Sequence, residues 1–183
     1  EPQLAAEVAR SLVAAPHPCH LPLLLDMLRL RDAREEARRA LLAIGEAALP
    51  ELDAALADLG QPVAVRQHLP RTISRFAPDR AAPILLSALC KETNAEVVFK
   101  ILRGLGRIRT RHPQVPVDRD RVLGVTRSTL EQAVVTLEWS LVVRQVVGWR
   151  QEAHTPAADL LLAFLEDRKA LAIQRLFRLL HIV

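Results

Sequence analysis

Residues 65–76 read VRQHLPRTISRF, and this stretch decides the fold because its pattern stands in the chain three times. Thirty-two residues earlier, Ala33 to Ile44 places Arg34, Arg39, Leu41 and Ile44 where Arg66, Arg71, Ile73 and Phe76 stand. Thirty-two residues later, Val97 to Ile108 places Arg103, Leu105 and Ile108 in the same register. A second phrase precedes each copy: Pro22-x-Leu24-x-x-x-Leu28, Pro50-x-Leu52-x-x-x-Leu56 and Pro83-x-Leu85-x-x-x-Leu89. Two alternating phrases at a period near 32 predict stacked helix pairs, since one pair cannot bury its apolar face alone.

Composition agrees with an all-α chain. Ala, Leu and Arg dominate, all strong helix formers, and β-branched runs are few. The charge is unevenly placed. Residues 1–60 carry 6 basic and 10 acidic groups, residues 61–121 carry 12 and 5, and residues 122–183 carry 7 and 6. The centre of the repeat array is therefore the basic part, and it suits an acidic partner, whether nucleic acid, phosphoinositide or an acidic protein or neighbouring domain. Arg outnumbers Lys 22 to 3, which base composition explains as readily as function does. Two cysteines make no disulfide scaffold and fit a reducing, cytoplasmic setting. No apolar run reaches the length of a membrane span. The chain lacks an initiator methionine and ends within the apolar run Leu179 to Val183, so a piece of a longer protein is expected.

Helices are expected at Gln3–Ala15, Leu21–Leu30, Ala33–Ile44, Ala47–Leu59, Val63–Phe76, Arg80–Lys91 and Ala95–Arg109. Asp32, Asp79 and Asn94 are the expected N-caps, and Gly45 the residue that closes the third helix. Pro70 should kink its helix. After the proline-bearing loop at Thr110 to Val117, a much longer helix runs from Asp118 to about Gln151. Leu130, Val134, Leu137 and Leu141 form one stripe on it; Val135, Trp139, Val142 and Val146 form another, so it should be contacted on more than one side. Thr155-Pro156 opens the last helix, with Leu161, Leu165, Leu176 and Leu180 expected on its buried side. Together these make a long antiparallel hairpin over 118–183.

The paired phrases resemble HEAT repeats and, more loosely, the short helical repeats related to phycobilisome lyases. The clearest unit carries the likeness on Pro50, Leu52, Leu56, Val65, Arg66, Leu69 and Ile73, and the likeness covers about residues 20–110. The third copy departs, with Val98 where Arg66 stands. The resemblance implies a right-handed α-solenoid of three units and is almost silent on function, because such solenoids serve many partners; the expected role is a non-enzymatic interaction scaffold or regulatory module within a larger bacterial protein. The alternative is a nucleic-acid-binding domain similar to the base-excising glycosylases built on such repeats. A chromophore-lyase relative follows from the repeat likeness alone. Arg175 to Leu180 is also similar to helical-repeat regions attached to bacterial membrane transport proteins.

The candidate site is a basic strip of Arg66, Arg71, Arg75, Arg103 and Arg107. Stacking at about 10 Å per unit would align Arg39, Arg71 and Arg103 in one column and Arg75 with Arg107 in another. Such a strip binds phosphates or carboxylates bidentately. The structural alternative pairs each arginine with an acid or a helix C-terminal carbonyl of a neighbouring unit. No catalytic constellation, cofactor motif or metal site is expected. His17, Cys19 and His20 lack a fourth ligand and a second cluster. Gly104-x-Gly106 lies in a helix without the preceding strand of a dinucleotide fingerprint, so its glycines are read as close-packing positions. Trp139, Trp149 and Cys90 read as core or interface residues, and His68 and His154 as structural. Arg168, Lys169, Arg175 and Arg178 opposite the leucines fit a membrane-surface helix or a solvated hairpin arm.

Overall fold

The computed structural model describes residues 2–149 and 155–182, and among these the regular elements are all helical. Two compact units divide it: Glu1–Val117 and Asp118–Val183. His154 and the side chain of Trp149 lie outside the described part.

The first unit holds eight helices: α1 (Pro2–Ala14), α2 (Leu21–Met27), α3 (Arg34–Ile44), α4 (Leu49–Ala57), α5 (Val63–Arg66), α6 (Leu69–Ile73), α7 (Pro78–Lys91) and α8 (Ala95–Arg111). The repeat pattern becomes packing directly. Helix α2 lies on α3, α4 on α6, and α7 on α8. Successive pairs touch through α3 with α6, α6 with α8, and α4 with α7, while α1 packs on α3. Positions one repeat apart are buried alike. Ala33, Val65 and Val97 are enclosed, as are Ala37, Leu69 and Ile101, and Leu41, Ile73 and Leu105. Leu24, Leu52 and Leu85 do the same for the first helices. Each buried Leu or Ile contributes roughly 1.5–3 kcal/mol, so these columns are the main cohesion of the unit.

Local chemistry sets the boundaries. Asn94 caps α8 as expected, its side chain accepting from Glu96 N at 3.0 Å and Val97 N at 3.3 Å. Gly45 adopts φ +77° after α3, a conformation that favours glycine. Asp32 caps nothing; α3 begins at Arg34 after Ala33, and Asp79 lies inside the first turn of α7. Pro70 does more than kink. The expected helix Val63–Phe76 is two helices, α5 and α6, parted at Gln67 and His68, with Pro70 in the first turn of α6 where its missing N–H costs little. Gly104 meets α6 and α7 closely. A Cβ there would stand 3.0 Å from Leu85 Cδ1 and 3.2 Å from the Pro70 carbonyl oxygen. Cys90, expected to be a buried hydrophobe, is exposed, because α7 turns Leu85, Leu86, Ala88 and Leu89 inward instead.

The second unit is a pair of long helices, α9 (Arg119–Trp149) and α10 (Pro156–Ile182), packed along one another. Thr155 caps α10 at 3.3 Å, and Arg144 bonds Glu166 across the pair at 2.7 Å. Their inner seam corrects the sequence expectation. Helix α9 buries Val122, Thr129, Ala133, Ser140 and Val147, with Thr126, Thr136 and Val143 half-buried between them. These positions step by four and three, the spacing of a coiled-coil seam. The seam hydroxyls need no partner from α10. Thr126, Thr129 and Thr136 each donate to the carbonyl four residues back at 2.8 Å, and Ser140 to Leu137. The two stripes of large residues flank this seam and face outward: Leu141 is 65% exposed and Trp139 60%. On α10, Leu165 and Leu179 are buried, whereas Leu161 and Leu180 are exposed. Sixteen of the nineteen exposed large hydrophobic residues among those described lie on these two helices.

Candidate anion-binding site

Helices α3, α5, α6 and α8, with the turn after α6, carry the arginines of the repeated stretch, and the packing sorts them into two kinds. The first kind is structural. Arg66 is withdrawn from the expected strip: its side chain is 4% exposed and ion-paired with Glu92, itself 2% exposed. The other Glu92 oxygen accepts from Asn94 N at 2.7 Å, so this pair ties α5 to the turn between α7 and α8. Arg34, one repeat earlier, donates to the carbonyl oxygens of Leu28 at 2.7 Å and Arg29 at 3.1 Å. Arg38 is buried, bonded to Glu35 and to Thr72 Oγ1 at 3.2 Å. Arg39 is exposed and bonded to Glu36 on its own helix.

The second kind converges. Arg71 and Arg75 stand four residues apart on α6 and the turn after it; Arg107 and Arg111 stand four apart on α8. Because α6 packs on α8, the four line one cavity of about 340 Å³. Ser74, Phe76 and Ile108 form further wall, with His112 beside Arg111. No carboxylate lines it. Glu35 bonds Arg75 at 2.7 Å, and so offsets one of the four charges. The guanidinium groups of Arg71 and Arg111, and that of Arg103 nearby, make no hydrogen bond or ion pair among the described residues.

The electrostatics record this crowding. Burial, and then the charges of Arg103, Arg71, Arg75 and Arg111, hold the Arg107 guanidinium below its ordinary pKa. His68 is lowered to about 4, first by burial and then by Arg34, Arg38, Lys100 and Arg71. Glu35 moves the other way from its burial: desolvation opposes ionisation, but Arg75 and Arg38 outweigh it and its pKa falls. The α8 carbonyl end carries roughly half a negative charge and screens part of the cluster. It leaves a net positive cavity. By contrast, the cavity of about 300 Å³ between α4 and α7 carries both signs, Asp53 and Glu92 with Lys91, and its Glu92 is already paired with Arg66.

Of the five residues expected, the structure brings Arg71, Arg75 and Arg107 to one cavity, keeps Arg103 one turn from Arg107 and outside the lining, and sets Arg66 apart. Arg111 and His112 join them. Arg111 follows Arg107 as Arg75 follows Arg71, a spacing visible in the sequence. No repeat mate marked it, since Asp79 stands 32 residues before. His17 spends its ring nitrogen on Cys19 N at 3.2 Å, and among the described residues no three metal-binding side chains gather. No described helix is long and apolar enough to cross a membrane. Comparison of the chain with protein-family models, with curated proteins and with solved structures finds no match in any of the three.

Proposed function

We propose that this chain is a non-enzymatic interaction module, a right-handed α-solenoid of three HEAT-like units whose basic face takes an acidic segment of a protein partner. The observation that carries the reading is the group of guanidiniums around Arg107, in which Arg71, Arg103 and Arg111 pair with no acid among the described residues. Like charges held together raise the energy of the free state, and an acidic partner relieves it. The exposed apolar flanks of α9 and α10 favour a protein partner over nucleic acid, because such surface marks contact with protein or membrane and offers nothing to a phosphate backbone. The cavity lining also speaks against base excision: Phe76 and His112 are its only aromatic rings among the described residues, and no described carboxylate stands in it to act as a base.

The test is fluorescence anisotropy of a labelled glutamate-rich peptide, a labelled DNA duplex and a labelled single strand, each over a salt series. Peptide binding that weakens in Arg71→Ala and Arg103→Ala, with melting unchanged, supports the reading. Tighter binding of either DNA, with log K falling steeply against log salt, replaces it with a nucleic-acid surface. Binding of none of the three removes the basic face as a site.

A further inference from the structure

We infer that the cavity between α6 and α8 is a phosphate-monoester site, in which a phosphoryl dianion sits among Arg71, Arg75, Arg107 and Arg111. The inference rests on the basic-face reading above and names the group that this face selects.

Three observations carry it. The first is charge. Glu35 accounts for Arg75, which leaves Arg71, Arg107 and Arg111 uncompensated around one space. A single carboxylate offsets one of these charges; a phosphate monoester brings about two, with three acceptor oxygens. The α8 carbonyl end opposes any anion here by about half a charge, which is why several guanidiniums are needed rather than one.

The second is shape. The four arginines do not lie along a ridge. Two i,i+4 pairs on adjacent helices line a concavity from both sides; Arg107 spends Nε on the Arg103 carbonyl oxygen at 3.2 Å, and Arg75 spends one Nη on Glu35. A tetrahedral anion accepts from several directions at once, and planar guanidinium forks match its oxygens in pairs. A run of carboxylates would spread along a row of donors, and Arg39, one repeat away, is already bonded to Glu36, so the part of an acidic segment that this cavity takes is one compact, multiply charged group.

The third is the rest of the wall. Phe76, Pro78 and Ile108 give the cavity an apolar side. Its volume of about 340 Å³ is at the lower end of the roughly 300–1,000 Å³ typical of small-ligand pockets. That is room for the carbon bearing the phosphate as well as the phosphate.

The experiment is calorimetric titration of the chain at low salt with four probes: inorganic phosphate, phenyl phosphate, a short phosphoserine peptide with neutral flanks, and the same peptide with glutamate in that place. The expected result is that the phosphopeptide or phenyl phosphate binds at least about tenfold tighter than the glutamate peptide. Inorganic phosphate should compete for the site. Arg107→Gln and Arg111→Gln should each lose about tenfold, while Arg39→Gln changes nothing. A phosphopeptide tighter than phenyl phosphate assigns the group to a phosphorylated protein segment; the reverse assigns it to a free organophosphate. A glutamate peptide that binds as tightly as the phosphopeptide overturns the phosphate site and leaves the acidic-partner reading standing. No binding by any probe overturns both. Arg111 is exposed at the last turn of α8, so its variant separates lost binding from lost folding if Arg107→Gln melts early.

Discussion

Removing Glu92 tests whether Arg66 belongs to the framework or to the binding face. Its pair with Arg66 is enclosed, at 4% and 2% exposure, and Arg66 Nε already lacks a partner. Glu92→Ala strands a buried guanidinium, which costs about 3–5 kcal/mol. It also strips the acceptor 2.7 Å from Asn94 N, worth about 1 kcal/mol more. A domain has only about 5–15 kcal/mol in total, so much of the first unit's stability goes. The melting temperature should fall on the order of 10–20 °C. The double change Arg66→Met with Glu92→Met removes both charges and should recover most of that loss, since apolar side chains of similar volume replace such pairs at little cost. Thermal melts by circular dichroism read the stability, and anisotropy with the glutamate-rich peptide reads binding. If the double variant melts like the parent yet no longer binds, Arg66 is a binding residue and its assignment to the framework is wrong. If Glu92→Ala melts within a degree or two of the parent, the pair does not hold α5 in place.

Other consequences are as direct. Gly104→Ala gains about 1 kcal/mol of helix propensity but presses on the Pro70 carbonyl and Leu85, which costs about 1–3 kcal/mol; denaturant titration should show net destabilisation, and a more stable variant would contradict the close approach of α8 to α6. His68 has a folded pKa of about 4 against an ordinary 6.5, so the unfolded chain takes up its proton first as pH falls. Stability is therefore lost from about pH 6.5 down to about pH 4, and His68→Gln should flatten that part of the profile. Identical profiles would mean that His68 is not held neutral. In the second unit, Ala133→Leu should cost about 1–3 kcal/mol by overpacking the seam, while Leu137→Gln, at a position 41% exposed, should cost under about 1 kcal/mol. Melts showing the opposite order would restore the large-residue stripes as the buried face.

Much of this architecture is written in local spacing. The 32-residue period names the helix pairs, because register-mates such as Leu41, Ile73 and Leu105 must all be apolar for the pairs to stack. Asn94, Gly45 and the Thr155-Pro156 start act within a few residues of themselves, so their roles are readable from a short window. The break at Pro70 was half visible: proline disrupts a helix, but whether the chain bends or restarts depends on what α6 packs against. The hairpin was legible in length and not in face. Three registers of α9 share the same three-and-four spacing, and periodicity cannot choose among them. The size rule picks Leu and Trp for the inside, whereas the Thr, Ala and Ser seam lets the helices meet while its hydroxyls bond back to their own carbonyls.

The arginines divide along the same line. Their recurrence at 32 is a property of the chain, and it marks Arg71 with Arg103 and Arg75 with Arg107 as register-mates. Whether a guanidinium is spent or available is a property of its neighbours. Glu92 lies 26 residues beyond Arg66, and Glu35 lies 40 residues before Arg75. Neither acid stands in register with the arginine it neutralises. Pairing over such separations follows from how α3, α5 and α6 are stacked, and a one-dimensional period holds no record of it. For that reason the repeat announces a basic strip, and the packing turns part of it into framework and the remainder into a cavity with charge to spare.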